Sequence, residues 1–509
     1  MSIRRIHALF RVAPAATVFL LAATACAGDL AGDVRAKLKA SQLNEANIGY
    51  MVIDVATGKT VASHNETIAR IPASNMKVLT TGAALDVLGP NFEFRTRLVA
   101  ATNAGKTTLT IIGDGDPALF DPEAHGGNWT TVSDAVNAWA ANLKASGVVQ
   151  VEEVVVDARI FDSEPIPTGD EKWATNLNGT YAVELWGLNI AANTARVGFG
   201  WQSGAAPKIA SVDPPFPLRS SAESRSRCVA GTKSTFDVQN GNTPGQLVLQ
   251  GNMTNTEGDK DKSISVRNTP LLAAEMFANE FRRCGIVVPQ GAFRVAQPTD
   301  PATTGAVVPP VLTTPIATVI KRANTDSVNL YAEALAKRVG AARSGKAGSW
   351  VTGREAVQSA ITARIGAVGN QQIKLFDGSG LSKENMVSPA VIAGWLRALA
   401  CDSTKVGIYY NSFARPHEPG TLKKRFDGVD FNGVDVFGKS GYIDCASCLS
   451  GLVVGPGGKA MVYSILCRSD NWKAEGKLTN ARTFQEQLVV RVAEEIKRDS
   501  VKFATATDH

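Results

Sequence analysis

Ser74 and Lys77, in the stretch "RIPASNMKVLTTGAALDVLGP" (70–90), stand three residues apart at the start of a segment with helical character. Residues three apart share a helix face, so an amine at Lys77 reaches a hydroxyl at Ser74. A serine hydroxyl is a weak nucleophile at neutral pH and needs a neighbouring base. For Lys77 to be that base its pKa must fall, through burial or a nearby cation such as Lys439. The plain alternative is a capping serine that accepts from orphan amides of the first turn, with Lys77 directed into water. Two further polar sites bear on the choice: Ser327-Val328-Asn329 in a helical stretch, and Lys439-Ser440-Gly441 in a strand-like run. Each has its own plain reading, as polar residues on a helix and as a solvated strand lysine. One such motif carries little weight in a long chain, whereas three in order, on suitable elements, carry far more.

The elements that must position these residues follow from pattern. "GYMVIDVATGKTVASHN" alternates and turns at Thr57-Gly58, which predicts a hairpin leading into the Ser74 helix. From about Phe92 to Arg294 the chain changes to short strands, glycines and prolines, which predicts inserted β-rich material. "TTPIATVIKRANTDSVNLYAEALAKRVG" and "SPAVIAGWLRALACD" return to helical spacing. "VFGKSGYIDCASCLSGLVVGPGGKAMVYSILC" then predicts two strands joined at Gly-Pro-Gly-Gly. A closing helix carries Phe484, Leu488, Val489, Val492 and Ile496 on one stripe. Its polar face mixes both charges, so packing on the sheet is expected in place of a membrane surface.

A chain of 509 residues exceeds what one core supports, so two or three domains are expected. The first 27 residues combine arginines, an apolar run and small residues at Ala25, Cys26 and Ala27, the pattern of a secretory signal cleaved after Ala27, with lipid attachment at Cys26 as a second option. Its removal takes away Arg4, Arg5 and Arg11 and no acid, lowering the net charge from +6 to +3, too mild for a nucleic-acid partner. No later segment approaches 18 uninterrupted apolar residues, so no transmembrane segment is expected after cleavage and the protein reads as exported, periplasmic or wall-associated. Six cysteines remain, enough for up to three disulfides, and Cys445 and Cys448 are expected to pair elsewhere or be buried. The histidines lack metal spacing, so neither metal nor cofactor is expected. Oligomeric state is not readable.

The three motifs, together with "GDGDPALF", "DGSGLSKENMVSP", "EPGTLKKRF" and "KSGYIDCASCLSG", resemble successive landmarks of the class C low-molecular-mass penicillin-binding proteins, the D-alanyl-D-alanine carboxypeptidase/endopeptidase family S13. The resemblance implies an α/β (α+β) fold: a penicillin-recognising serine transpeptidase/β-lactamase-like core, residues 28–95 and 300–509, with two nested β-rich insertions, 96–165 with 262–299 and 166–261. It implies cleavage of peptidoglycan stem peptides through a Ser74 acyl-enzyme, and acylation by β-lactams. Lys77 is then the base, Ser327 relays a proton to the leaving D-alanine nitrogen, and Asn329 orients Lys77 and the substrate amide. Lys439 and Ser440 meet the terminal carboxylate, beside Gly441, and the amides of Ser74 and Tyr442 form the oxyanion hole. Val328, Ser440 and Tyr442 depart from the family's usual residues, and Tyr442 is expected to narrow the groove. Ser379 and Ser382 read as structural. Asp157, in "VEEVVVDARIFDS", is either a strand-end residue serving a turn or, by the resemblance, the ligand of a free side-chain ammonium on the stem peptide. A β-lactamase or esterase on the same core, and a non-catalytic wall-binding protein, are the alternatives.

Overall fold

The computed structural model describes residues 29–125, 130–231, 233–369, 371–470 and 472–507, with side chains omitted at 473, 474 and 500–507. The expected signal segment, with Cys26, lies outside the described residues. The chain divides into two compact units.

One unit comprises Met1–Pro90, Ile320–Val328 and Arg354–His509. Its centre is an antiparallel five-stranded sheet in the order Asp435–Ile443, Ala446–Val454, Ala460–Arg468, Ile48–Asp54, Thr60–His64. The Ala446–Val454 strand is buried at every position because both sheet faces are covered. On one face the predicted stripe Phe484, Leu488, Val489, Val492 and Ile496 packs into a core with Leu30, Val34 and Leu38 of the Leu30–Ala40 helix. The helices Met76–Leu88 and Pro389–Ala400 also belong to this unit, joined where the Trp395 indole donates to the Val78 carbonyl at 3.1 Å. The expected pair of C-terminal strands is three strands: a reversal at Asp444-Cys445, with no Gly or Asn to announce it, splits the first run.

The second unit, Asn91–Val319 with Asn329–Gly353, carries a mixed sheet in the order Phe293–Val295, Glu153–Asp157, Lys106–Ile112, Glu93–Asn103, Ala306–Pro315. It is β-rich as expected but not purely so. The helices Val132–Ala145 and Thr269–Arg283 bury Trp139 and Phe277 against each other in one continuous apolar cluster. Two smaller sheets, centred on Thr194–Gly200 and Gln246–Met253, contribute Val197, Phe199, Leu247 and Leu249 to the same cluster.

All six described cysteines carry free thiols, against the expectation of disulfides. For Cys448 and Cys467 the register explains it. Cys448 lies opposite Leu466 and Cys467 opposite Ser447, so their side chains leave opposite faces of the sheet.

Candidate active site

The helix that carries Lys77 is buried along nearly its whole length, from Met76 to Leu85. A lysine in its first turn therefore has no route to water. Lys77 is fully buried, and its Nζ donates to Ser74 Oγ at 3.0 Å and to the Ser379 carbonyl at 2.9 Å. Neither plain reading survives: Ser74 makes no capping bond, and Lys77 does not face solvent. Ser74 sits in a 3₁₀ turn, Ala73–Asn75, entered through Ala73 at φ 45°. A non-glycine residue in the left-handed region costs on the order of 1–3 kcal/mol and marks a constrained site.

The "DGSGLS" loop holds Lys77 from the opposite side. Asp377 accepts from the Gly380 and Ser382 amides, both at 2.7 Å, and from Asn385 Nδ2 at 2.8 Å. This loop is structural, as expected, but the Ser379 carbonyl is also a direct partner of Lys77, which sequence reasoning missed. The paired glycines and the aspartate before them were the available signal.

Ser327 is delivered by a break in what the pattern suggests is one long helix. The chain runs as Ile316–Thr325, interrupts with Ser327 at φ 63°, and restarts at Asn329–Ser344. No Gly or Pro marks the break. Tertiary bonds hold it, as Asn324 Nδ2 donates to Thr81 Oγ1 (3.1 Å) and Ser412 Oγ (2.8 Å), and a local i,i+4 ion pair, Arg322 with Asp326 at 2.9 Å, adds to them.

Lys439 and Gly441 point from the Asp435–Ile443 edge strand toward the Ser74 turn, and Ser440 and Tyr442 alternate to the other face. Lys439 is fully buried, and its Nζ donates to Ser327 Oγ at 2.9 Å and to the Ser440 carbonyl at 2.8 Å. Burial, reinforced by the charge of Lys77 and opposed by Asp326, holds the Lys439 ammonium well below the usual lysine range. The Asn75 side chain ties the turn to the strand by donating to the Lys439 carbonyl at 3.0 Å. A Cβ at Gly441 would stand 3.0 Å from the Ser74 nitrogen, so glycine is what lets the strand approach.

Two expected residues lie in the second unit. Asn329 opens its helix and donates from Nδ2 to the Tyr181 carbonyl at 2.7 Å. Asp157 is buried at a strand end. It accepts from Arg159 Nε (2.9 Å), Nη2 (2.6 Å) and the Arg159 amide (3.1 Å), and from Thr303 Oγ1 at 3.3 Å. Despite its burial, these partners hold the carboxyl below the usual range. An ammonium would have to compete with a guanidinium already in place. Among the described residues no group of acids, histidines and cysteines is placed to hold a metal, and no helix is long and apolar enough to cross a membrane.

Comparison with known proteins decides the family. The model of the D-Ala-D-Ala carboxypeptidase 3 (S13) family matches residues 30–494. The chain belongs to this family. It is a serine peptidase with a mixed α and β fold. The D-alanyl-D-alanine carboxypeptidase of Actinomadura sp. (strain R39) is 27% identical over 96% of this chain and 90% of its own. The D-alanyl-D-alanine carboxypeptidase DacB of Haemophilus influenzae is 24% identical over 75% of this chain and 76% of its own. The crystal structure of penicillin binding protein 4 from Haemophilus influenzae superposes with a TM-score of 0.70 at 22% identity, covering 90% of this chain and 99% of that one.

Proposed function

We propose that this S13 peptidase removes the terminal D-alanine from peptidoglycan stem peptides through a covalent acyl-enzyme on Ser74. The observation that carries the reading is the buried Lys77 amine 3.0 Å from Ser74 Oγ. Lys77 as a neutral amine takes the proton while Ser74 Oγ bonds to the carbonyl carbon of the penultimate D-alanine. The oxyanion forms against the Ser74 and Tyr442 amides, each such donor being worth about 10²–10³ in rate. As the C–N bond breaks, a proton passes through Ser327, which Lys439 holds at 2.9 Å, to the leaving nitrogen. Water then hydrolyses the ester. A crosslink ending in a D-configured carboxylate offers the same bond, so endopeptidase action follows from the same site.

β-Lactams would acylate Ser74 likewise, a reading supported by the Haemophilus influenzae penicillin binding protein 4 described as complexed with a novel β-lactam, which superposes at a TM-score of 0.67 and 21% identity. Asn329, two residues beyond Ser327, keeps the orienting role, and Asn329→Ala is expected to slow acylation. We retain export to the periplasm or wall, and two separate insertions within residues 96–299, as part of this reading. Intact-mass measurement after penicillin addition, followed by digestion of purified cell wall, tests it: one adduct on Ser74 and released D-alanine are expected. No adduct would overturn the acyl-enzyme, and rapid nitrocefin turnover would favour a β-lactamase.

A further inference from the structure

A peptide with a free C-terminus brings a full negative charge to the edge strand, and such a charge is bound well only where a cation or several donors meet it. Lys439 is already engaged by protein partners. It is buried, points to the Ser74 side of the strand, and spends its hydrogen bonds on Ser327 and the Ser440 carbonyl. Ser440 and Tyr442 occupy the opposite face, two residues apart and so roughly 7 Å from each other. Tyr442 is 41% exposed, unusual for a large aromatic side chain in this chain. Over its ring, 5.6 Å from the centroid, stands the guanidinium of Arg482.

Arg482 projects from the first turns of the Leu478–Thr507 helix and is exposed. Neighbouring arginines of that helix are committed: Arg491 pairs with Asp33 and Glu495, and Arg498 with Glu495. Among the described residues the Arg482 side chain has no ion pair or hydrogen bond, and its guanidinium stands over the Tyr442 ring. Cation–π contact at an exposed site holds an arginine over the ring only weakly, and leaves its N–H edge open to a planar, bidentate acceptor.

We propose that Arg482, held by Tyr442, is the cation that selects substrates with a free C-terminal carboxylate, acting together with the Ser440 hydroxyl. This rests on the peptidase reading above. It gives Tyr442 a role as a platform for the arginine, and it assigns to the C-terminal helix a part in specificity that no motif marks.

The test compares an acyl-D-Ala-D-Ala peptide with its C-terminal carboxamide on the wild type, Arg482→Ala and Arg482→Lys, with melting temperature as the control for folding. Arg482→Ala is expected to lower kcat/KM on the acid about 10- to 100-fold, chiefly through KM, to leave the carboxamide unchanged, and to be partly rescued by Arg482→Lys. Equal losses on both peptides, or no loss on the acid, overturn the proposal. Penicillin labelling of the wild type separates the two readings. If the wild type is neither labelled nor active, the peptidase reading fails, and equilibrium binding of the same peptides still decides for Arg482. A preference for the acid that vanishes in Arg482→Ala supports the proposal, and no preference overturns it.

Discussion

At the residue scale, Ser74→Ala removes the hydroxyl proposed to be acylated. It should abolish penicillin labelling and peptidase activity while leaving the melting temperature near that of the wild type, because Ser74 is only partly buried. Lys77→Ala should differ in kind. Acylation should fall by about 10²–10⁴ with loss of the base, and stability should fall too, since a fully buried amine with bonds to Ser74 and the Ser379 carbonyl leaves a cavity and an unpaired acceptor. Intact-mass kinetics and thermal melting on both variants separate the effects. For Asp157 the Arg159 pair makes a structural role the expectation. Asp157→Asn should cost on the order of 1–3 kcal/mol of stability and reduce kcat/KM equally on stem peptides with a free or an N-acetylated side-chain amine. A selective loss on the free amine would restore the ammonium-binding role.

At the element scale, close approaches fix the site. Gly380 has φ +82°, and a Cβ there would fall 1.8 Å from the Ala73 carbonyl oxygen, an overlap no side-chain rotation relieves. Gly380→Ala should therefore displace the loop that offers the Ser379 carbonyl to Lys77. The expected result is slower acylation together with a loss of several °C in melting temperature. Gly441→Ala is milder in contact, at 2.9–3.0 Å from Asn75 and the Ser74 turn, and acts on the strand beside the proposed nucleophile. It should slow acylation more than it lowers stability. The broken helix around Ser327 belongs to this scale as well: hydrogen bonds from Asn324 and an ion pair at Asp326 hold an interruption that local propensity does not ask for.

At the scale of the whole molecule, stability should carry a mark from Asp116 in the second unit. Burial pushes this carboxyl up to about 6, against the donors Thr314 Oγ1 (2.6 Å) and the Ala118 amide (2.9 Å), with His125 lowering it and Asp114 raising it. A folded-state pKa above the unfolded one means the favourable contribution is complete below about pH 4 and is lost as pH rises through about 6. Between pH 4 and 7 the stability of Asp116→Asn relative to wild type should therefore increase, by on the order of 3 kcal/mol. Denaturant unfolding at several pH values measures this, and a constant difference would place the pKa elsewhere.

The sequence by itself determined the three motifs, their order, the hairpin before Ser74 and the closing helix on the sheet, because each rests on short-range spacing or on periodicity. Tertiary structure decided the rest. Lys77 is buried because every side of its helix is covered, and Lys439 turns inward to Ser327 because its strand lies against the Ser74 turn. Asp157 is claimed by Arg159, and Cys448 and Cys467 do not pair with each other because register puts them on opposite faces. Arg482 meets Tyr442 across thirty-nine intervening residues. Asp157 and Arg159 are only two residues apart, but the other contacts join residues far apart in the chain, and no local pattern encodes which distant partner a side chain will find.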